Sequence, residues 1–181
     1  MPHDKSVSFE ELKNCCAPFT VLYVEDDAGT AAIFQNILTR VFSQTYIAAN
    51  GIDGLDVFHT FKPDLIIVDI VMPGMDGYEM MQRILEVRSD QPFVVTTAYN
   101  DPPYINRAVE MGCRGLIFKP IQRERFASVL FQVCKELPLY MDDHCPVKQD
   151  PYVSEPADVC HVSWEYEKES GASDEDKDKA E

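Results

Sequence analysis

Five short apolar runs, each of strand length and each followed by a stretch with helical spacing, constrain this chain more than any other feature. The runs are Phe19-Thr20-Val21-Leu22-Tyr23-Val24, Tyr46-Ile47-Ala48, Leu65-Ile66-Ile67-Val68, Phe93-Val94-Val95 and Leu116-Ile117-Phe118. They are rich in β-branched and aromatic residues and do not alternate with polar ones, which fits strands buried on both faces. Between them, apolar residues recur at helical spacing: Ile33, Ile37 and Val41; Leu55, Phe58 and Phe61; Met80/Met81 and Ile84/Leu85; Phe126, Val129, Leu130 and Val133. The weakest helical pattern lies in residues 102 to 111. Such alternation predicts an α/β domain with a parallel sheet, because parallel neighbours need a crossover between them. The domain is expected to span residues 18 to 137, with Pro138 after the last helix.

The flanks differ from this body. Residues 1 to 17 read as a polar leader in which Ser8-Phe9-Glu10-Glu11 matches a capping box, so a short helix can start there. Residues 138 to 181 mix Asp, Pro, His and Cys without period and are expected to be largely irregular or disordered. Charge follows the same division. The 16 Lys+Arg and 31 Asp+Glu leave −15 overall; the 13 acidic and 4 basic residues from Asp142 onward account for −9 of it and the preceding residues for −6. A surface this acidic repels phosphates, so direct DNA binding is not expected. No apolar run approaches the roughly 20 residues of a membrane-spanning helix, and no basic-then-apolar leader is present. The expectation is a cytoplasmic protein without membrane insertion. Its six cysteines lack the short regular spacings of a small secreted framework, and free thiols are expected.

In a parallel α/β sheet, ligands gather at the carboxyl ends of the strands. Here those ends read Glu25-Asp26-Asp27 after the first run, Asp69 after the third, Thr96-Thr97 after the fourth and Lys119-Pro120 after the fifth. Clustered carboxylates repel one another unless a cation sits among them. Oxygen ligands at a wet edge suit Mg²⁺, which takes one or two carboxylates and keeps room for a phosphate oxygen. With Lys119 to neutralise a phosphoryl group and a Thr hydroxyl to donate to it, one carboxylate is left to act as nucleophile. After Asp69, Met72-Pro73-Gly74-Met75-Asp76-Gly77 makes a rigid loop whose backbone can come close to a ligand.

On Val24-Glu25-Asp26-Asp27, Ala49-Asn50-Gly51, Asp69-x-x-Met72-Pro73-x-Met75-Asp76-Gly77, Thr97-Ala98 and Lys119-Pro120, the chain resembles a response-regulator receiver domain of the CheY-like, flavodoxin-like type over about residues 19 to 137. The resemblance implies a doubly wound five-stranded sheet in the order 2-1-3-4-5. It also implies a two-component phosphorelay protein in which Asp69 accepts phosphate from a histidine kinase or a phosphotransfer protein. Asp27 would hold Mg²⁺ directly and Asp26 largely through water, with Asp69 and the backbone carbonyl of Val71 as further ligands. Thr97 would be the switch hydroxyl and Lys119 the cation that pairs with the phosphate. A downstream protein would dock on the domain's fourth helix, fifth strand and fifth helix, with a homodimer as a further arrangement. The chemistry would be the domain's own phosphorylation and dephosphorylation rather than turnover of a separate substrate, and too few residues remain for an output domain.

One position departs from the family's habit, and two variable ones bear on how long a phosphoryl group would last. Where receivers carry Tyr or Phe three residues before the lysine, this chain has Leu116, which puts the aromatic part of the switch in question. Val71 and Tyr99 stand at the positions that tune loss of phosphate, and both would shield an acyl phosphate from water. Taken singly, Asp26, Asp27 and Asp69 read as helix caps and turn formers; taken jointly with Thr97 and Lys119 they read as a site. His144-Cys145 and Cys160-His161 form a mirrored pair with metal-ligand chemistry but no zinc-site spacing. A scaffold that keeps the receiver fold, ignores phosphate and binds a partner or metal through its tail is the alternative from another functional class.

Overall fold

The computed structural model describes residues 7–99 and 101–137. Five strands, β1 (Thr20–Val24), β2 (Gln44–Ala48), β3 (Leu65–Asp69), β4 (Phe93–Thr97) and β5 (Gly115–Phe118), form one sheet in the order β2-β1-β3-β4-β5. All four pairings are parallel. The helices are α1 (Phe9–Cys16), α2 (Ala28–Val41), α3 (Gly51–Phe61), α4 (Gly77–Val87), α5 (Pro102–Glu110) and α6 (Arg123–Glu136). The doubly wound fold expected from the alternating pattern is present, as is its strand order.

Strand alternation divides the interior into two cores. Val21 and Tyr23 of β1, Leu65 and Ile67 of β3, Val94 of β4 and Ile117 of β5 pack with α1, α2 and α6. Their neighbours Leu22, Val24, Ile66, Val68, Phe93 and Val95 pack on the opposite face with α3, α4 and α5. Successive side chains point to opposite faces, so an unbroken apolar strand serves both layers.

Two expectations at the margins gain detail. The capping box forms: Ser8 Oγ accepts from the Glu11 N–H at 3.2 Å, and Glu11 Oε2 accepts from the Ser8 N–H at 2.9 Å. The helix it starts buries Leu12 and Cys16 in the first core, against α6. Residues 102–110 are helical, with Pro in the first turn, yet Ala108 is the helix's one buried residue, while Tyr104 and Val109 are exposed. A helix anchored at so few points leaves little apolar periodicity in its sequence. The tail residues His144, Cys145, Cys160 and His161 lie outside the described residues.

Candidate functional site

Parallel strands of matched length deliver their last residues to one edge. Asp69 ends β3, opposite Thr96 of β4, and Thr97 is aligned with Phe118 of β5. The ladder continues just past the strands, where the Glu25 N–H donates to Ala48 O at 3.1 Å and the Lys119 N–H to Thr97 O at 2.7 Å. Glu25, Asp69, Thr97 and Lys119 therefore occupy fixed backbone positions at the carboxyl edge.

Lys119 ties this edge together. Its Nζ donates to Glu25 Oε1 at 2.7 Å and to Asp69 Oδ2 at 2.6 Å. Glu25 is 1% exposed and Asp69 3% exposed, so one cation is shared between two buried carboxylates, the arrangement that makes their burial tolerable. The second oxygen of Glu25 accepts from the Tyr23 hydroxyl at 3.0 Å. Burial pushes the Glu25 carboxyl above its ordinary range, against the opposing pull of Lys119. For Lys119, burial alone would lower the ammonium's pKa; the hydrogen bonds to Asp69 and Glu25 outweigh it and hold the pKa above its usual value. Burial, and then the neighbouring Glu25, likewise raises the Tyr23 phenol.

Carboxylate oxygens of Glu25, Asp26 and Asp69 lie within 4.8 Å of one another, with Asp26 exposed at the mouth of the cluster. Three hard oxygen donors around one point are the donor set that fits Mg²⁺. Asp27, expected from sequence as the direct ligand, is outside this group. It is the N-cap of α2, and its Oδ1 accepts from the Thr30 N–H at 2.7 Å. The hydrogen bonds from Thr30 hold its carboxyl below the ordinary range. The reason is positional: the residue directly before a helix satisfies that helix's free N–H groups, which leaves the two acidic residues nearer the strand to face the edge. Glu25, which the sequence marks only as one acid of the strand end, and its partner Tyr23, which it does not mark at all, are the additional members of the site. Their signal was the period of two, since Tyr23 and Glu25 lie on one face of β1 and its extension.

The remaining expected residues are nearby. Thr97 is buried, and its Oγ1 accepts from the Tyr99 N–H at 3.0 Å. Thr96 is also buried, with no hydrogen-bond partner for its hydroxyl among the described residues. The Val71 N–H donates to Asp69 Oδ1 at 3.2 Å, and the Val71 side chain is 46% exposed. The loop after Asp69 turns through Gly74 at φ +80° and closes at Gly77, whose N–H donates to Ile70 O. A Cβ on Gly77 would stand 2.3 Å from the carbonyl oxygen of Asp69, so only glycine lets α4 begin this close to the site.

The fold and this acidic edge define a class of protein, one that comparison with known proteins makes specific. The sequence profile of the response regulator receiver domain matches residues 21–131. The chain belongs to that family, whose members are signalling modules of two-component systems. It is 30% identical over 119 residues to sporulation initiation phosphotransferase F of Bacillus subtilis, covering 66% of this chain and 94% of that protein. It is 36% identical over 104 residues to the transcriptional regulatory protein AfsQ1 of Streptomyces coelicolor, which is 57% of this chain but 45% of that longer protein. Among solved structures, the N-terminal domain of an uncharacterized Wolinella succinogenes protein superposes with a TM-score of 0.59 at 31% identity, over 62% of this chain and 93% of that one.

Proposed function

We propose that this receiver is a phosphoacceptor switch, with Asp69 taking a phosphoryl group from a histidine kinase or a phosphotransfer protein. The observation that carries the reading is Lys119 Nζ held at 2.7 and 2.6 Å between Glu25 and Asp69 at the carboxyl edge. Asp26 and Asp69 would hold Mg²⁺, with Glu25 beside them and the Val71 carbonyl as a further donor; Asp27 stays with its helix. Bound there, the ion neutralises charge on the phosphoryl oxygens. Asp69 supplies the nucleophilic carboxylate oxygen, forming the acyl phosphate as the donor's bond to phosphorus breaks. Lys119 turns from carboxylate to phosphoryl oxygen, and its charge is retained because its pKa is held up. Thr97 would donate a hydrogen bond from its hydroxyl to another phosphoryl oxygen while its Oγ1 still accepts from the Tyr99 N–H.

Signalling would run by protein contact in the cytoplasm, without direct DNA binding. The surface of α5, β5 and α6 suits a downstream partner or a second copy, because Tyr104, Val109 and Phe118 expose apolar area on it. One residue favours the phosphate-independent scaffold instead: Leu116, packed against the second core, has no hydroxyl or ring to report the state of Thr97.

Incubation with Mg²⁺ and acetyl phosphate, read by mass spectrometry, separates the two. The expected result is one phosphoryl adduct on the wild type, lost in Asp69→Ala and without Mg²⁺. Equal behaviour of wild type and Asp69→Ala would leave the scaffold.

A further inference from the structure

Two thiols meet where α1 docks on the first core. Cys16 ends α1 and Cys134 lies in the last turn of α6; both are buried, and their Sγ atoms are 3.3 Å apart. Cys16 ends the helix that precedes the family match of 21–131, and Cys134 lies on the domain's last helix just past the end of that match. A disulfide has its sulfurs about 2.05 Å apart, so these are free thiols in contact that must move by only about 1 Å to bond. The other described thiols sit differently. Cys15 is half-buried with its Sγ 3.6 Å from the Phe131 carbonyl oxygen, and Cys113 packs against the second core.

We infer that Cys16 and Cys134 are a redox modification site, converted by a small-molecule disulfide such as oxidised glutathione into a cross-link that fastens α1 to α6. One protein thiol loses its proton and attacks the glutathione disulfide, expelling one glutathione thiolate. The second protein thiol then attacks the mixed disulfide and expels the other. The glutathione S–S bond is broken, the Cys16–Cys134 bond is formed, and two protons and two electrons end on two glutathione thiols.

Burial sets the kinetics. The contact with Cys16, and then burial, holds the Cys134 thiol above its ordinary pKa, and neither sulfur is open to solvent. Reaction therefore waits on transient release of α1, an eight-residue helix with Leu12 and Cys16 as its buried residues. The cross-link joins residues 118 apart in sequence, and a loop of that length removes much entropy from the unfolded chain. The site is independent of the phosphoacceptor reading, which uses the other end of the sheet.

The test uses the full chain, reduced, then held under native conditions with oxidised glutathione, alkylated and digested with trypsin. The expected product is a disulfide joining peptide 14–40 to peptide 126–135, present in wild type and in Cys15→Ser, and absent in Cys134→Ala. The thermal midpoint of the oxidised wild type should rise and return with dithiothreitol. If Cys134→Ala fails to fold, the wild-type peptide map and its reversible midpoint still decide. A link that forms only after unfolding in urea, or one lost in Cys15→Ser, would overturn the inference.

Discussion

A single position in the sequence separates a member of the acidic cluster from a helix cap at the start of α2. Asp26 offers a carboxylate oxygen to the cluster with Glu25 and Asp69, whereas Asp27 is committed to the Thr30 N–H. The two roles have different signatures. Asp27→Ala should cost about 1 kcal/mol of stability, the usual value of an N-cap, and leave Mg²⁺ affinity in place; urea unfolding and a Mg²⁺ titration check both. Asp26→Asn should do the reverse, weakening Mg²⁺ binding while the unfolding midpoint holds or rises as one charge leaves an acidic edge. Equal loss of Mg²⁺ affinity in both variants would return Asp27 to the site. The run Glu25-Asp26-Asp27 announced an acidic strand end, and Asp69, Thr97 and Lys119 were equally legible there. What the letters left open was the phase, because three consecutive acids look alike until the first helical residue is known. That phase decides which side chain caps and which two face the edge, and it brought in Glu25, held by Tyr23 and Lys119.

Periodicity marks the elements in the sequence, and each is legible in proportion to how much it buries. β3, buried at all five residues, needed nothing but its composition. α5 left the faintest pattern because it is fastened by other means: Tyr78 donates its hydroxyl to the Tyr104 carbonyl at 2.5 Å, Arg107 lies 4.3 Å over the Tyr78 ring, and Tyr104 stacks on Tyr99 with ring centroids 4.7 Å apart. Polar and aromatic contacts of this kind have no period to detect. They also hold the segment after β4 in place around Tyr99, which is 41% exposed, near Thr97. With Val71 also bulky and exposed beyond Asp69, incoming water meets apolar area on two loops of the carboxyl edge. An acyl phosphate on Asp69 should therefore be slow to hydrolyse. Phosphate release after loading with acetyl phosphate should be slow in the wild type, and Val71→Asn combined with Tyr99→Glu should hasten it; an unchanged rate would show that neither loop guards the bond.

At the scale of the molecule, among the described residues, the candidate site and the reinforcement by α1 fall on opposite ends of the strands. The carboxylates, Thr97 and Lys119 stand where the strands finish, while α1 leads through Phe19 into the start of β1. A strand of five residues at about 3.3 Å each puts roughly 15 Å between those ends, and Leu12 lies in the core opposite the one that α3, α4 and α5 cover. The capping box marks α1 as a local element, but its docking cannot be read from eight residues, since α1 packs on α6 and α2 and Cys16 meets Cys134 more than a hundred positions away. Leu12→Ala should therefore act on stability alone. A fully buried leucine truncated in a packed core costs about 2–5 kcal/mol, which urea unfolding would report as a lower midpoint with little change in slope. At low temperature and without denaturant, where the variant is still folded, the extent of Mg²⁺-dependent labelling of Asp69 should match the wild type. A variant that keeps its midpoint would show that α1 is not part of the core, and one that keeps its fold but loses labelling would show that the two ends of the sheet are coupled.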